Sequence, residues 1–314
     1  VLRVMRSSSP LPVIRRESLM SESTSGPMMR RHRLAAPVDV VRAALTDSAA
    51  LRSWFAEYAE VELPSRFEFW GRHTPGGDVP RQRLLHVDDS TVRFSWLLDG
   101  VDTTVDIGLV ADVDGSTVLT LTQTNLPGFQ EMLAQETALG QMYTFWALSI
   151  ANLADHVEGR RVGPKCDFTS PVQRAELDID APPRAVFDSI ADPAVFSRWF
   201  GAKVEAEQSV GGRWSMGELE SNPSPCHIVD LEPGRLLSIA WPDGMVSSWE
   251  LAGSGGGTRL TFVQSGFDES TPPYTGWMGW LGSLAELRRF HEVADWRPSW
   301  LQVHLDGLAV VDTA

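Results

Sequence analysis

The sequence predicts an α+β protein built from two tandem domains, each a curved antiparallel sheet wrapped around a long C-terminal helix. Three observations carry this. A strand–helix–break–helix stretch occurs twice, from Leu34-Ala35-Ala36-Pro37 to Trp54-Phe55 and from Ile179-Asp180-Ala181-Pro182 to Trp199-Phe200. Its offset is constant at 145 (182 − 37 and 199 − 54), too long for a solenoid repeat and right for a whole domain. After each copy the chain switches to period-two alternation and then to a long stripe of helical period.

Residues 1–30 stand before the first copy. The first 33 residues hold seven Arg against Glu17 and Glu22, with much Ser and Pro and no continuous apolar run. This predicts a disordered tail and not a secretory signal, which needs an apolar core. Met20-Ser21-Glu22 offers an alternative beginning.

Domain one is expected over 31–158. Pro37 suits a helix start because its missing N–H has no partner there anyway. Val41 and Leu45 lie four apart on one helix face, and Asp47 leads into a second short helix that carries Trp54 inward. Phe67/Phe69, Leu85/Val87, Phe94/Trp96, Val105/Ile107/Leu109 and Val118/Thr120 read as strands, with turns at Gly76-Gly77, Asp88-Asp89-Ser90, Asp99-Gly100 and Asp114-Gly115-Ser116. Leu139, Tyr143, Trp146, Ile150, Leu153 and Val157 then form one helical stripe, with Gly159 as its C-terminal cap.

Residues 159–172 read as a linker and 173–292 as domain two. Asp192-Pro193 stops the first helix and caps the second. Strands centre on Trp214/Met216, Ile228, Leu237/Ile239/Trp241, Trp249/Leu251 and Leu260/Phe262, and a last helix spans roughly Thr275 to Glu292. Each domain therefore reads β-α-α-β₆-α. The segment 293–314 has no counterpart in domain one and is expected to pack across a domain surface.

Taken together, Ala-Pro, Asp-Pro, Trp199-Phe200, Gly211-Gly212-x-Trp214, Glu232-Pro233-x-Arg235, Trp241, Thr258-x-Leu260-Thr261 and Gly276-Trp277 resemble the START-like (SRPBCC) superfamily, in the branch named after the activator of the heat-shock-protein-90 ATPase. Domain two matches nearly along its length. Domain one matches at Pro37, Trp54-Phe55, Phe94-x-Trp96 and Thr117-x-Leu119-Thr120 and lacks the Gly-Gly, Glu-Pro-x-Arg and Gly-Trp pieces. The resemblance implies the helix-grip (START/Bet v 1-like) fold, with a space between sheet and helix that receives lipids, polyketides or other apolar ligands. It also implies three function classes. One is sequestration or transport of an apolar or aromatic natural product, including self-resistance of the kind found in actinobacterial enediyne producers. The second is a polyketide cyclase or aromatase. The third is a chaperone ATPase co-activator, whose eukaryotic forms carry a separate N-terminal domain not seen here.

Composition narrows the partners. The net charge of −14 argues against nucleic acid, and no run reaches the ~18 apolar residues of a membrane span. Lys165 and Lys203 are the only lysines among 27 basic residues, a usage suited to a GC-rich bacterial genome. Cys166 and Cys226 lack a CxxC partner and read as free thiols of a reducing cytoplasm. The seven histidines show no metal-ligand spacing, His86 reads as solvent-facing, and there is no HExxH, P-loop, GxSxG or GxGxxG. No metal and no cofactor is expected, and binding is favoured over turnover. Homo-oligomers are compatible with this reading.

The candidate ligand-binding residues are aromatic: Trp214, Met216, Trp241, Trp249 and Trp277 in domain two, with Phe94, Trp96 and Trp146 in domain one. A curved sheet cannot lie flush on a helix, and such apolar concavities are the usual small-molecule sites. The plainer alternative is an aromatic core, since large rings dominate burial. Domain two, the richer in Trp, is expected to be the better pocket.

Overall fold

A computed structural model describes residues 27–128, 131–132, 136–304 and 311–312. Most of the expected tail, and part of the C-terminal segment, lie outside them. Domain one runs β1 (Met28–Leu34), α1 (Val38–Thr46), α2 (Ser48–Trp54), β2 (Tyr58–Glu62), β3 (Arg66–Trp70), β4 (Gln82–Val87), β5 (Thr91–Leu98), β6 (Val101–Ala111), β7 (Thr117–Gln123) and α3 (Ala138–Val157). Domain two repeats the order as β8 (Gln173–Ile179), α4 (Pro183–Ala191), α5 (Pro193–Phe200), β9 (Val204–Ala206), β10 (Arg213–Met216), β11 (Cys226–Glu232), β12 (Leu236–Ala240), β13 (Val246–Ser254), β14 (Gly257–Ser265) and α6 (Tyr274–Glu292). Both are the β-α-α-β₆-α plan of a helix-grip fold.

The repeat extends to single hydrogen bonds. Trp54 Nε1 donates to the Ala44 carbonyl and Trp199 Nε1 to that of Ser189. Thr117 Oγ1 donates to the Ala36 carbonyl and Thr258 Oγ1 to that of Ala181. Glu158 accepts from the Ala35 amide and Glu292 from that of Asp180. Asp47 and Asp192 cap the second helices through backbone amides of Ala50 and of Ala194 and Val195, satisfying donors that a helix start leaves open.

The sheets differ at both edges. Domain two's is β8-β14-β13-β12-β11-β10-β9. In domain one the order is β16-β15-β1-β7-β6-β5-β4, with β2-β3 as a separate ribbon. Its added strands, β15 (Trp300–His304) and β16 (Val311–Asp312), come from the chain's C-terminal segment. Arg31 pairs with Gln302 across β1 and β15, so the segment expected to pack across a surface enters a sheet instead. The linker is equally fastened. Lys165 Nζ donates to the carbonyls of Arg52, Ser53 and Ala56 at the end of α2, and the Tyr274 hydroxyl shares its one hydrogen between those of Phe168 and Ser170.

Helices α3 and α6 run side by side in the same direction, each between its own sheet and the other helix. A Cβ at Gly282 would touch the Leu148 backbone at 3.6 Å, and one at Gly279 would meet Thr144 at 3.7 Å. At their C-terminal ends the contact is charged and buried. Asp155, wholly buried, pairs with Arg288, with Arg160 at 3.0 Å and with Arg289 at 3.8 Å. Glu158 pairs with Arg289 at 3.0 Å and with Arg160.

Gly201 ends α5 at φ 78°, and a Cβ there would come within 2.4 Å of the Trp300 ring. Gly201→Ala is therefore expected to cost about 1–2 kcal/mol for the left-handed backbone alone, and to push Trp300, with β15, away. Urea unfolding and proteolysis within 293–304 would check this; unchanged protection of β15 would contradict it.

Candidate functional site

The aromatic residues of domain two converge where α6 lies over the sheet. Trp277 and Trp280 sit one turn apart on α6, while β10 supplies Trp214, β13 Trp249 and β14 Phe262. Each of these five is at most 5% exposed. Trp280 is the hub, with ring centroids 5.1 Å from Trp249, 5.6 Å from Phe262, 5.7 Å from Phe200 and 6.2 Å from Trp241. Trp277 stacks on Phe262 at 5.5 Å. These contacts fill the space between sheet and helix, where sheet curvature alone would leave a gap. Trp241, just past β12, is half-buried and lies 6.1 Å from Trp214.

Met216 departs from the expectation. It is 43% exposed. The four-residue β10 ends there, Gly217 turns the chain at φ 91°, and its N–H donates to the Lys203 carbonyl. The interior stops at Trp214, one inward position earlier. In domain one Phe94, Trp96 and Trp146 are all buried to 2% or less, with Trp96 6.2 Å from Trp146.

Polar side chains complete both interiors. In domain one Gln123 on β7 is fully used: its Nε2 donates to Thr103 Oγ1 at 2.9 Å and its Oε1 accepts from Trp146 Nε1 at 2.6 Å. Gln264 on β14 occupies the same place in domain two, six residues past Thr258 as Gln123 is past Thr117. Its Nε2 donates to Ser247 Oγ at 3.1 Å, and Trp241 Nε1 donates to the same hydroxyl at 2.9 Å. Gln264 Oε1, Trp249 Nε1 and both amide atoms of Gln173 are buried without a hydrogen-bond partner. Gln173 stands directly across from Gln264 on β8. The residue across from Gln123 is Met28.

The chemistry on offer is neutral. Burial pushes the Cys226 thiol up to about 11, helped by the charge of Asp243, and raises that of Cys166 further; neither is a ready nucleophile. His86 is half-exposed and bonded to Asp88 at 2.9 Å. Among the described residues no group of three or more His, Cys, Asp and Glu could hold a metal ion, and no helix is long and apolar enough to cross a membrane.

The concavities lie elsewhere. An open groove of about 460 Å³ runs outside domain one between Pro37, Val38, Arg42, Asp89 and Ala111. A void of about 10 Å³ beside Trp54, Phe145, Asn152 and Cys166 is at most the size of one water.

No curated protein matches the chain. Solved structures do, each over one domain's length. A crystal structure of a protein from Mesorhizobium loti is 25% identical, covering 37% of this chain and 93% of that one, with a TM-score of 0.33. CalU16 from Micromonospora echinospora is 25% identical, covering 38% and 75%, with a TM-score of 0.33. The Aha1 dimer from Colwellia psychrerythraea is 16% identical, covering 38% and 95%, also with a TM-score of 0.33. The family model described as Activator of Hsp90 ATPase homolog 1-like protein matches twice, over residues 35–158 and 180–290. With both halves matched, the chain belongs to the Activator of Hsp90 ATPase homolog 1-like family as a tandem of two such domains.

Proposed function

We propose that the chain binds an apolar, aromatic small molecule in the interior of domain two, and that binding rather than turnover is its activity. The observation that carries this is the contrast between the two equivalent glutamines; the unpaired buried atoms of domain one's sheet, Arg30 Nε and the His32 ring nitrogens, lie on basic side chains of β1 instead. Domain one closes its buried glutamine with internal hydrogen bonds; domain two leaves Gln173, Gln264 and Trp249 partly unpaired among tryptophans. A buried donor or acceptor without a partner costs about 1–3 kcal/mol, so several on neighbouring strands form a surface made for something else to complete. Ser247 accepts from Trp241 and Gln264 and has no basic residue bonded to it, which favours binding over nucleophilic catalysis.

Trp241 is the way in. It is one of two half-buried rings of the cluster, with Phe200, and its N–H holds it to Ser247. Swinging it outward uncovers Ser247 and Gln264 and opens room between Trp214 and Trp280. A polycyclic ligand burying ~300 Å² of apolar area gains about 7 kcal/mol at ~25 cal/mol/Å², and association costs reduce this to micromolar affinity.

Titration of tryptophan fluorescence with aromatic polyketides or enediyne-like compounds tests the reading. Saturable micromolar quenching is expected. Trp241→Ala should weaken it about tenfold, while Arg297→Ala, at an exposed position, should not. Absence of saturable binding, or rapid conversion of the ligand, would overturn the proposal.

A further inference from the structure

Within that reading, on which this step rests, we infer that the ligand is a neutral aromatic molecule carrying a carbonyl beside an N–H or O–H, and that Gln173 and Gln264 read this pair of groups. The two glutamines face each other in register on β8 and β14, which brings their Cβ atoms to about 5 Å. Both side chains are buried, at 2% and 3% exposure. Gln173 presents a free amide N–H₂ and a free carbonyl, and Gln264 adds a second free carbonyl. Reversing the Gln264 amide would not close the row: its Nε2 would then lose Ser247 and become the unpaired group. Trp249 contributes one further donor.

An amide edge offers one donor and one acceptor side by side. Its complement is an acceptor and a donor on neighbouring atoms, as in a carboxamide, a lactam, an imide or a hydroxy-ketone. The row formed by Gln173, Gln264 and Ser247, with Trp249 at the next inward position of β13, contains no charged residue. A carboxylate would leave water there without a cation to receive it, which strongly disfavours acids. Met28, 1% exposed, stands in domain one where Gln173 stands in domain two. The same fold thus accepts an apolar side chain at this place, and the amide is a feature of domain two alone.

Calorimetric titration of the full chain with naphthalene-2-carboxamide, its N,N-dimethyl derivative and naphthalene-2-carboxylate tests the inference. The wild type is expected to bind the primary amide at least tenfold more tightly than the dimethyl amide, which lacks the donor, and more tightly still than the carboxylate. Gln173→Met, which installs domain one's residue, should keep or raise the melting temperature and bring the two amides to within about twofold of each other. Equal affinities in the wild type, or discrimination that survives in Gln173→Met, would overturn the inference while leaving aromatic binding in place. Binding of none of the three probes would overturn both this inference and the proposed function.

Discussion

Replacing Asp155 with alanine is expected to remove about 3–5 kcal/mol of stability. The carboxylate is wholly buried and holds Arg288, itself 2% exposed, together with Arg160 and Arg289. Its loss strands a buried guanidinium without a counter-charge, which is the costly way to break such a pair. Arg288 Nε and Nη1 already lack partners. Because Asp155 is on α3 and Arg288 on α6, the damage falls on the contact between domains, and urea unfolding should become less cooperative. The double variant Asp155→Ala/Arg288→Leu should recover a good part of the loss. A single-variant cost below about 1 kcal/mol would show that the pair does not join the domains as described.

A second large effect is expected from pH. Burial pushes the Glu286 carboxyl from its ordinary 4.5 up to about 7. The Ser299 hydroxyl, donating at 2.7 Å, opposes that rise, and the charges of Asp155 and Glu158 add to it. Arg289 Nε lies 3.9 Å away. Between pH 4.5 and 7 the folded chain keeps a proton that the unfolded chain has lost. Raising the pH through that window therefore removes stability, at about 1.36 kcal/mol for each pH unit crossed and up to about 3 kcal/mol in all. Glu286→Gln cannot lose that proton. Its stability relative to wild type should rise from pH 5 to pH 8 by an amount of that order, and a difference independent of pH would refute the assignment.

Much of the architecture was legible because the relevant forces are local. Ala-Pro, Asp-Pro and Trp-Phe at constant spacing determine where helices start and stop, and the period-two runs mark the strands. The contact between α3 and α6 was not legible. The stripe from Leu139 to Val157 reports only the face that packs on the sheet, whereas the contact between the helices rests on Thr144, the Leu148 backbone, Asp155, Gly279, Gly282 and Arg288, whose small and charged members carry no hydrophobic signal. The same limit hid the polar row. Gln173 continues the inward alternation of Ala175, Leu177 and Ile179, and Gln264 that of Leu260 and Phe262. Glutamine at an inward position was the available clue, and the stronger tryptophan signal masks it. Trp241 illustrates the reverse case: it reads as a strand residue like Ile239, but lies just beyond the end of β12.

The pairing of β15 with β1 has a consequence for biosynthesis. β1 is among the first described residues to leave the ribosome, and its outer neighbour is among the last. At about 5–20 residues per second, the edge of domain one's sheet waits on the order of tens of seconds for its partner while all of domain two is translated. Bare edge strands are templates for pairing with other chains. A nascent or truncated chain ending before Trp300 thus presents an open edge that β15 and β16 otherwise cover, which makes self-association of domain one a hazard of interrupted synthesis.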